Sequence, residues 1–238
     1  MFYNKEIYIS TEYCDTTVKL GGYRFFYLLQ NAMIDGFEVS DCGNTGLKNK
    51  CNGYWAVTKT KLEVFEQPSY GESVKVKADY SDDGRLRVYV NTEILSSSGR
   101  LLAKGCQELC ILDLTSHRPK RLIDTSLILK GLNVVKILEF EKFVIDGDVK
   151  REYELTVLSQ HIDMSHHVNN IEYIRMAEDL FSINELENRF IGKMEVHYIN
   201  ECREGDILLC RRIDNENCSM VRITNGDKVA FEMKFEFK

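Results

Sequence analysis

Residues 161–181 read HIDMSHHVNNIEYIRMAEDLF. From Tyr173 onward the apolar residues recur at spacings of three and four. Tyr173, Met176 and Leu180 run beside Ile174, Ala177 and Phe181, while Glu172, Arg175, Asp179 and Ser182 fall on the opposite side. This spacing predicts an amphipathic helix with one broad buried face. Asn169, with Glu172 three residues later, has the form of an N-cap and its capping-box partner. Just upstream, Asp163, Ser165 and His167 alternate along the chain. In an extended segment the side-chain period is two, so a carboxylate, a hydroxyl and an imidazole are expected on one side of a helix N-terminus, with His166 turned away.

A second helical pattern lies earlier, where Phe26, Leu29, Met33 and Phe37 recur at the same spacings. Each helix follows a strand-like run, residues 6–11 and 152–158, and precedes several more. Lys61-Leu62-Glu63-Val64 matches Lys193-Met194-Glu195-Val196, and Gly71-Glu72 matches Gly205-Asp206. Residues 98–103 (SGRLLA) and 225–230 (NGDKVA) match as a turn entering a strand. The shared order predicts a duplicated unit: residues 1–121, a linker over 122–150, and residues 151–238. The expected fold is α+β, two tandem hotdog units in which an antiparallel sheet wraps a long helix. The halves would form an internal pseudo-dimer with a continuous sheet.

Duplication allows the halves to be compared. Matching the helices on Tyr27 and Tyr173 sets Thr17–Gly21 against Asp163–His167, so the first copy is expected to lack both carboxylate and imidazole. Beyond the matched strands, Gln67-Pro68 stands opposite Glu201-Cys202. The reading is one reactive half, bearing Asp163, Ser165, His167 and Glu201, and one supporting half that houses an apolar ligand. Backbone N–H groups at a helix N-terminus suit an oxyanion or a thioester carbonyl. Asp163 could activate water or attack directly; His167 could polarise the carbonyl or protonate a leaving thiolate. Glu201 could hold the imidazole tautomer or position the water. Together these groups fit acyl transfer to water. Each also has a plainer role: Asp163 or Ser165 as a turn cap, Glu201 in a solvated turn, Cys202 as a small buried residue, His161 and His197 as structural groups.

Composition limits the alternatives. The chain has 238 residues, 44% hydrophobic and 29% charged, values of a folded globular protein. Twelve Phe and twelve Tyr against two Pro favour β structure. A net charge of -6 argues against nucleic-acid binding, which uses a basic face. No apolar run reaches the ~20 residues of a membrane span, and the charged start is unlike a signal peptide, so a cytoplasmic location with reduced cysteines is expected. Cys106 and Cys110 are four apart without a second ligand pair, so no metal site is expected.

The string Asp163-x-Ser165-x-His167-Val168-Asn169-Asn170-x-x-Tyr173, followed by Tyr198-x-x-Glu201-Cys202, resembles the acyl-ACP thioesterases of plants and bacteria. Trp55, the strand 61–64 and Gly71-Glu72 resemble the amino-terminal hotdog of that family. The resemblance implies hydrolysis of the thioester between a fatty acyl chain and acyl carrier protein, without metal or dissociable cofactor. The phosphopantetheine arm would arrive with the substrate. It also implies that Asp163, residue 165, His167 and Glu201 form the catalytic set, with Asn169 at the helix start touching substrate. Ser165 departs from the family's Asn; a hydroxyl has shorter reach, and its presence counts against a Cys202-His167-Asn triad and favours Asp163 as base or nucleophile. Arg118, Lys120 and Arg121, around Pro119, are the densest basic candidates for docking an acidic carrier protein. An acyl-CoA thioesterase and a non-catalytic acyl-binding protein remain alternatives, and a homodimer of chains stays open.

Overall fold

The computed structural model describes residues 2–125, 136–216 and 218–237. Residues 126–135, within the linker expected at 122–150, lie outside the described residues. The first unit contains β1 (Tyr3–Tyr8), α1 (Gly22–Val39), α2 (Asn44–Cys51), β2 (Gly53–Val64), β3 (Ser73–Asp82), β4 (Arg87–Ser96), β5 (Leu101–Asp113) and the short β6 (Pro119–Lys120). The second contains β7 (Val149–Thr156), α3 (Asn170–Glu178), α4 (Ile183–Asn188), β8 (Ile191–Tyr198), β9 (Ile207–Asp214), β10 (Cys218–Asn225) and β11 (Lys228–Phe237). The strands form one sheet in the order β1-β3-β4-β5-β2-β8-β11-β10-β9-β7, with β6 on β5. The second half of this order repeats the first in reverse, as a twofold relation requires. The fold is therefore two tandem hotdog units joined edge to edge through β2 and β8.

Alternation in the strands explains which face they bury. In β3, Val74, Val76 and Ala78 point inward while Lys75 and Lys77 face out. That inner face receives Phe25, Phe26, Leu29, Ala32, Met33 and Phe37 of α1. Gly105 in β5 is required by this contact, because a Cβ there would clash with the Leu29 side chain. In the second unit Ile171, Tyr173, Ile174, Met176 and Ala177 pack on β9–β11.

The second helix is shorter than its apolar period predicts. Leu180 and Phe181 remain buried, but the buried Arg212 donates to the Leu180 carbonyl (3.1 Å) and its guanidinium stacks on Phe181 at 3.8 Å. Ser182 then starts α4: its Oγ accepts the Glu185 N–H, and Glu185 accepts the Ser182 N–H. Ser182 is thus a cap instead of an outward helical residue. Glu172, expected outward, is buried, where its carboxylate pairs with Arg175. No helix among the described residues is long and apolar enough to cross a membrane.

Candidate active site

The segment before α3 is a tight turn instead of an extended strand. A short 3-10 turn at Ser159–His161 leads to the bridge Ile162–Val168, which closes a loop over 163–167. The Asp163 N–H donates to the His167 carbonyl and the His166 N–H to the Asp163 carbonyl, both at 3.0 Å. His166 takes the left-handed conformation (φ 62°) that the turn demands. Asp163 Oδ1 accepts the Ser165 backbone N–H at 2.8 Å, an Asx-type turn. The period-two argument therefore fails in its geometry, yet Asp163, Ser165 and His167 all border one cleft.

Val168 N–H donates to the Cys202 carbonyl at 2.9 Å, clamping this turn to the loop after β8. That clamp brings His167 Nε2 to 3.1 Å from Glu201 Oε2. Arg203 Nη2 also approaches Nε2, at 3.4 Å. One ring nitrogen cannot donate to a carboxylate and accept from a guanidinium together, and the shorter carboxylate contact assigns the proton to Nε2. Asn169 is the N-cap, its Oδ1 accepting the Ile171 N–H at 2.9 Å. The expected capping box does not close, because the Asn169 N–H is taken by the His161 carbonyl and Glu172 pairs with Arg175. Cys202 is buried, and burial pushes its thiol pKa up, so its structural service is through its backbone.

The first unit contains the same turn, hydrogen bond for hydrogen bond. Asp15 N–H donates to the Lys19 carbonyl, Val18 N–H to the Asp15 carbonyl, and Asp15 Oδ1 accepts the Thr17 N–H at 2.8 Å. Val18 repeats the positive φ at 61°, and Leu20 N–H donates to the Pro68 carbonyl as Val168 does to Cys202. The true equivalences are Asp15–Asp163, Thr17–Ser165, Lys19–His167 and Gln67–Glu201. Matching Tyr27 with Tyr173 misplaces the comparison by two residues, and matching Lys61 with Lys193 does the same, because the structure makes Lys61 equivalent to Glu195. The carboxylate is common to both copies, and the imidazole–glutamate pair distinguishes the second.

The cleft has a volume of about 440 Å³. Its apolar wall comes largely from the first unit, including Met33, Phe37, Trp55, Val57 and Leu112. Phe37 and Trp55 stack with centroids 4.5 Å apart, and Trp55 Nε1 is anchored on the Cys42 carbonyl at 2.7 Å. The first unit also adds polar groups absent from the sequence-derived set. Tyr54 Oη donates to Glu201 Oε1 at 3.3 Å and lies 3.1 Å from His117 Nδ1. Burial, then the Glu201 charge, pushes the Tyr54 hydroxyl up to about 12, keeping it a donor. Tyr54 adjoins the Trp55 marker in sequence, but nothing local connects it, or His117, with Glu201 147 and 84 positions away.

His117 and Pro119 border the cleft, which puts the turn between β5 and β6 at its rim. Of the basic residues there, Lys120 pairs with Asp113 (2.8 Å) and Arg121 with Asp124 (2.8 Å). Arg118 is exposed and has no carboxylate partner among the described residues.

A sheet wrapping two helices, with a polar cleft at the unit interface, defines the class: a tandem hotdog protein. Residues 146–237 match the family described as "Acyl-ACP thioesterase C-terminal domain". The whole chain superposes on an acyl-ACP thioesterase from Bacteroides thetaiotaomicron with a TM-score of 0.89 at 22% identity, covering 99% of this chain and 97% of the other. For the 12:0-ACP thioesterase of Umbellularia californica the TM-score is 0.88 at 14% identity, covering 99% and 96%. Acyl-[acyl-carrier-protein] hydrolase FATB1 of Cuphea viscosissima is 23% identical over 193 residues, 71% of this chain and 45% of the relative. The chain thus spans about half the length of the curated relatives it matches.

Proposed function

We propose that the chain hydrolyses the thioester of a fatty acyl group carried on acyl carrier protein, releasing the fatty acid and the carrier thiol. The observation that carries this reading is the His167–Glu201 pair at 3.1 Å, placed in the second copy of a turn whose first copy has Lys19 and Gln67. With Nε2–H donated to Glu201, the Nδ1 lone pair of His167 is free to take a proton from water. The water oxygen bonds to the thioester carbon while the carbonyl oxygen is held at the N-terminus of α3. The C–S bond then breaks, and the proton on Nδ1 passes to the departing sulfur. Asp163 keeps Oδ1 on the Ser165 N–H, which leaves its second oxygen to accept a hydrogen bond from the attacking water. Ser165 contributes its backbone to that turn, and its exposed hydroxyl lies at the cleft border.

In this reading residues 1–121 form the supporting unit, 122–150 connect, and 151–238 form the reactive unit. The Phe37–Trp55 wall receives the acyl chain, and the rim turn with Arg118, Lys120 and Arg121 receives the acidic carrier. The eight unpaired cysteines fit a reducing, cytoplasmic setting.

The test is product analysis after incubation with acyl-ACPs of graded chain length, beside matched acyl-CoAs. Free fatty acid from acyl-ACP, lost in His167→Ala and reduced in Glu201→Gln, is the expected result. Faster turnover of acyl-CoA reassigns the carrier. Acyl binding without any turnover overturns the catalytic reading.

A further inference from the structure

The duplication creates a second cleft, of about 1060 Å³, where the Asp15–Lys19 turn of the first unit faces helices of the second. Comparing the two helix N-termini isolates one residue that the catalytic set does not include. In the second cleft α1 begins at Gly22 after Gly21, and neither can cap it with a side chain. Glu178 of α3 reaches that N-terminus across the interface: its carboxyl group lies where a Cβ on Gly22 would clash with Oε1, and the Tyr23 N–H acts on it electrostatically. That Oε1 is buried without a hydrogen-bond partner. The second cleft therefore has its helix N-terminus plugged by the chain's own carboxyl group.

The structural equivalence of Gly22 with Asn170, 148 positions apart, carries Glu178 onto Gln30. The same offset sets Phe25 on Tyr173, Phe26 on Ile174, Leu29 on Ala177 and Ala32 on Leu180, buried residues in each case. In the candidate active site, then, Gln30 of α1 faces the start of α3, and both Gln30 and Asn170 line the cleft. The two exchanges act together. Asn169 caps its own helix by taking the Ile171 N–H, so no group is needed from across the interface. The Asn170 N–H, at the first helical position, has no intrahelical acceptor. No protein group bonds the Gln30 carboxamide among the described residues.

We propose that Gln30 is a substrate-contacting residue whose carboxamide N–H, opposite the Asn170 N–H, donates to the thioester carbonyl oxygen. This rests on the thioesterase reading for its substrate. A neutral amide supplies a donor without competing for the helix N-terminus, whereas a carboxylate there would occupy the carbonyl's place and repel developing negative charge.

The experiment uses Gln30→Leu, Gln30→Glu and the control Glu178→Gln, with two pantetheine probes. One is an S-(2-oxoalkyl) thioether, which keeps a carbonyl but cannot be hydrolysed; the other is the S-alkyl thioether, which has none. The unmodified chain should prefer the ketone, and Gln30→Leu should erase that preference. On acyl-ACP, Gln30→Leu should lower kcat/KM by roughly 10- to 100-fold and Gln30→Glu by more, with Tm unchanged and Glu178→Gln fully active. Wild-type kcat/KM in Gln30→Leu, or a ketone preference that survives it, overturns the proposal; so does the absence of any preference in the unmodified chain. Loss of the preference on mutation, in a protein that turns over no acyl thioester, refutes the thioesterase reading while sustaining the carbonyl contact.

Discussion

Lys61 and Glu195 occupy equivalent positions in the two units and face each other across the pseudo-twofold axis, with Nζ 2.8 Å from Oε2. The register fixes this: Lys61 opposes Glu195, with Thr60–Val196 and Leu62–Met194 disposed symmetrically about it. In a dimer of identical units an axial residue meets itself, so a charge would meet its like. Duplication in one chain allows the two positions to diverge into opposite charges. Both are buried, and the cluster extends to His197, which is 2.9 Å from Glu195 and stacked on Phe143, and to Glu141 from the segment before β7. Burial pushes the Glu195 carboxyl pKa up, but His197 and Lys61 outweigh it and hold the group below its ordinary value.

Removing one member should therefore cost more than removing two. Lys61→Met leaves Glu195 and Glu141 without their shared cation, a loss of about 3–5 kcal/mol by analogy with broken buried pairs. Combining it with Glu195→Leu should recover part of that loss, giving a coupling of about 1–3 kcal/mol in a urea-unfolding double-mutant cycle. Additive losses would show that the axial pair contributes nothing as a pair.

Asp163 and His167 are separable by one conservative change. Asn at 163 retains an oxygen for the Ser165 N–H, so Asp163→Asn preserves the turn and removes only the charge. With His167 as the base, that variant should lose about 10- to 100-fold in kcat, whereas His167→Ala should lose about 1,000-fold or more. The reverse order in steady-state kinetics would make Asp163 the base or nucleophile.

The helices, the duplicated order and the residues around 161–173 were legible because local periodicity and capping chemistry express them. The equivalence of Asp15 with Asp163 was hidden for a physical reason. The helices are matched by burial, and aligning Tyr27 with Tyr173 puts a half-buried tyrosine on a buried one. Phe25 is the buried ring that Tyr173 replaces, and only the hydrogen bonds of the turn reveal it. Glu201 was found through the match with Gln67, but Tyr54, His117 and Gln30 reach the cleft through the sheet and the unit interface. No spacing along the chain encodes that encounter.

Arg118 is an exposed basic side chain at the cleft rim with no neighbouring carboxylate partner among the described residues. Asp113 and Asp124 offset Lys120 and Arg121, and the Lys120 ammonium holds the Asp113 carboxyl far below its usual range. Arg118→Glu should raise KM for acyl-ACP several-fold, more at low salt than at high, with kcat unchanged. A small pantetheine thioester should be hydrolysed as before. Equal effects on both substrates would remove Arg118 from carrier docking.

Glu178 gives the fold a pH dependence of a definite sign. Burial drives its carboxyl up to about 8, the Tyr23 N–H and the Arg24 charge opposing, while the Asp15 and Asp179 charges add to the rise. In the unfolded chain it titrates near an ordinary glutamate's ~4.3. Between those values the folded state keeps a proton that the unfolded state releases, so this group's contribution to stability declines as pH rises through the window. Below it the contribution is complete; above about 8 it is fully lost. Glu178→Gln keeps an oxygen near the Tyr23 N–H and abolishes the ionisation. The variant should match the parent near pH 4 and exceed it by on the order of 5 kcal/mol at pH 8, with the gap widening between. Chemical denaturation across that range measures it. A constant difference at every pH would mean that Glu178 ionises normally in the folded protein.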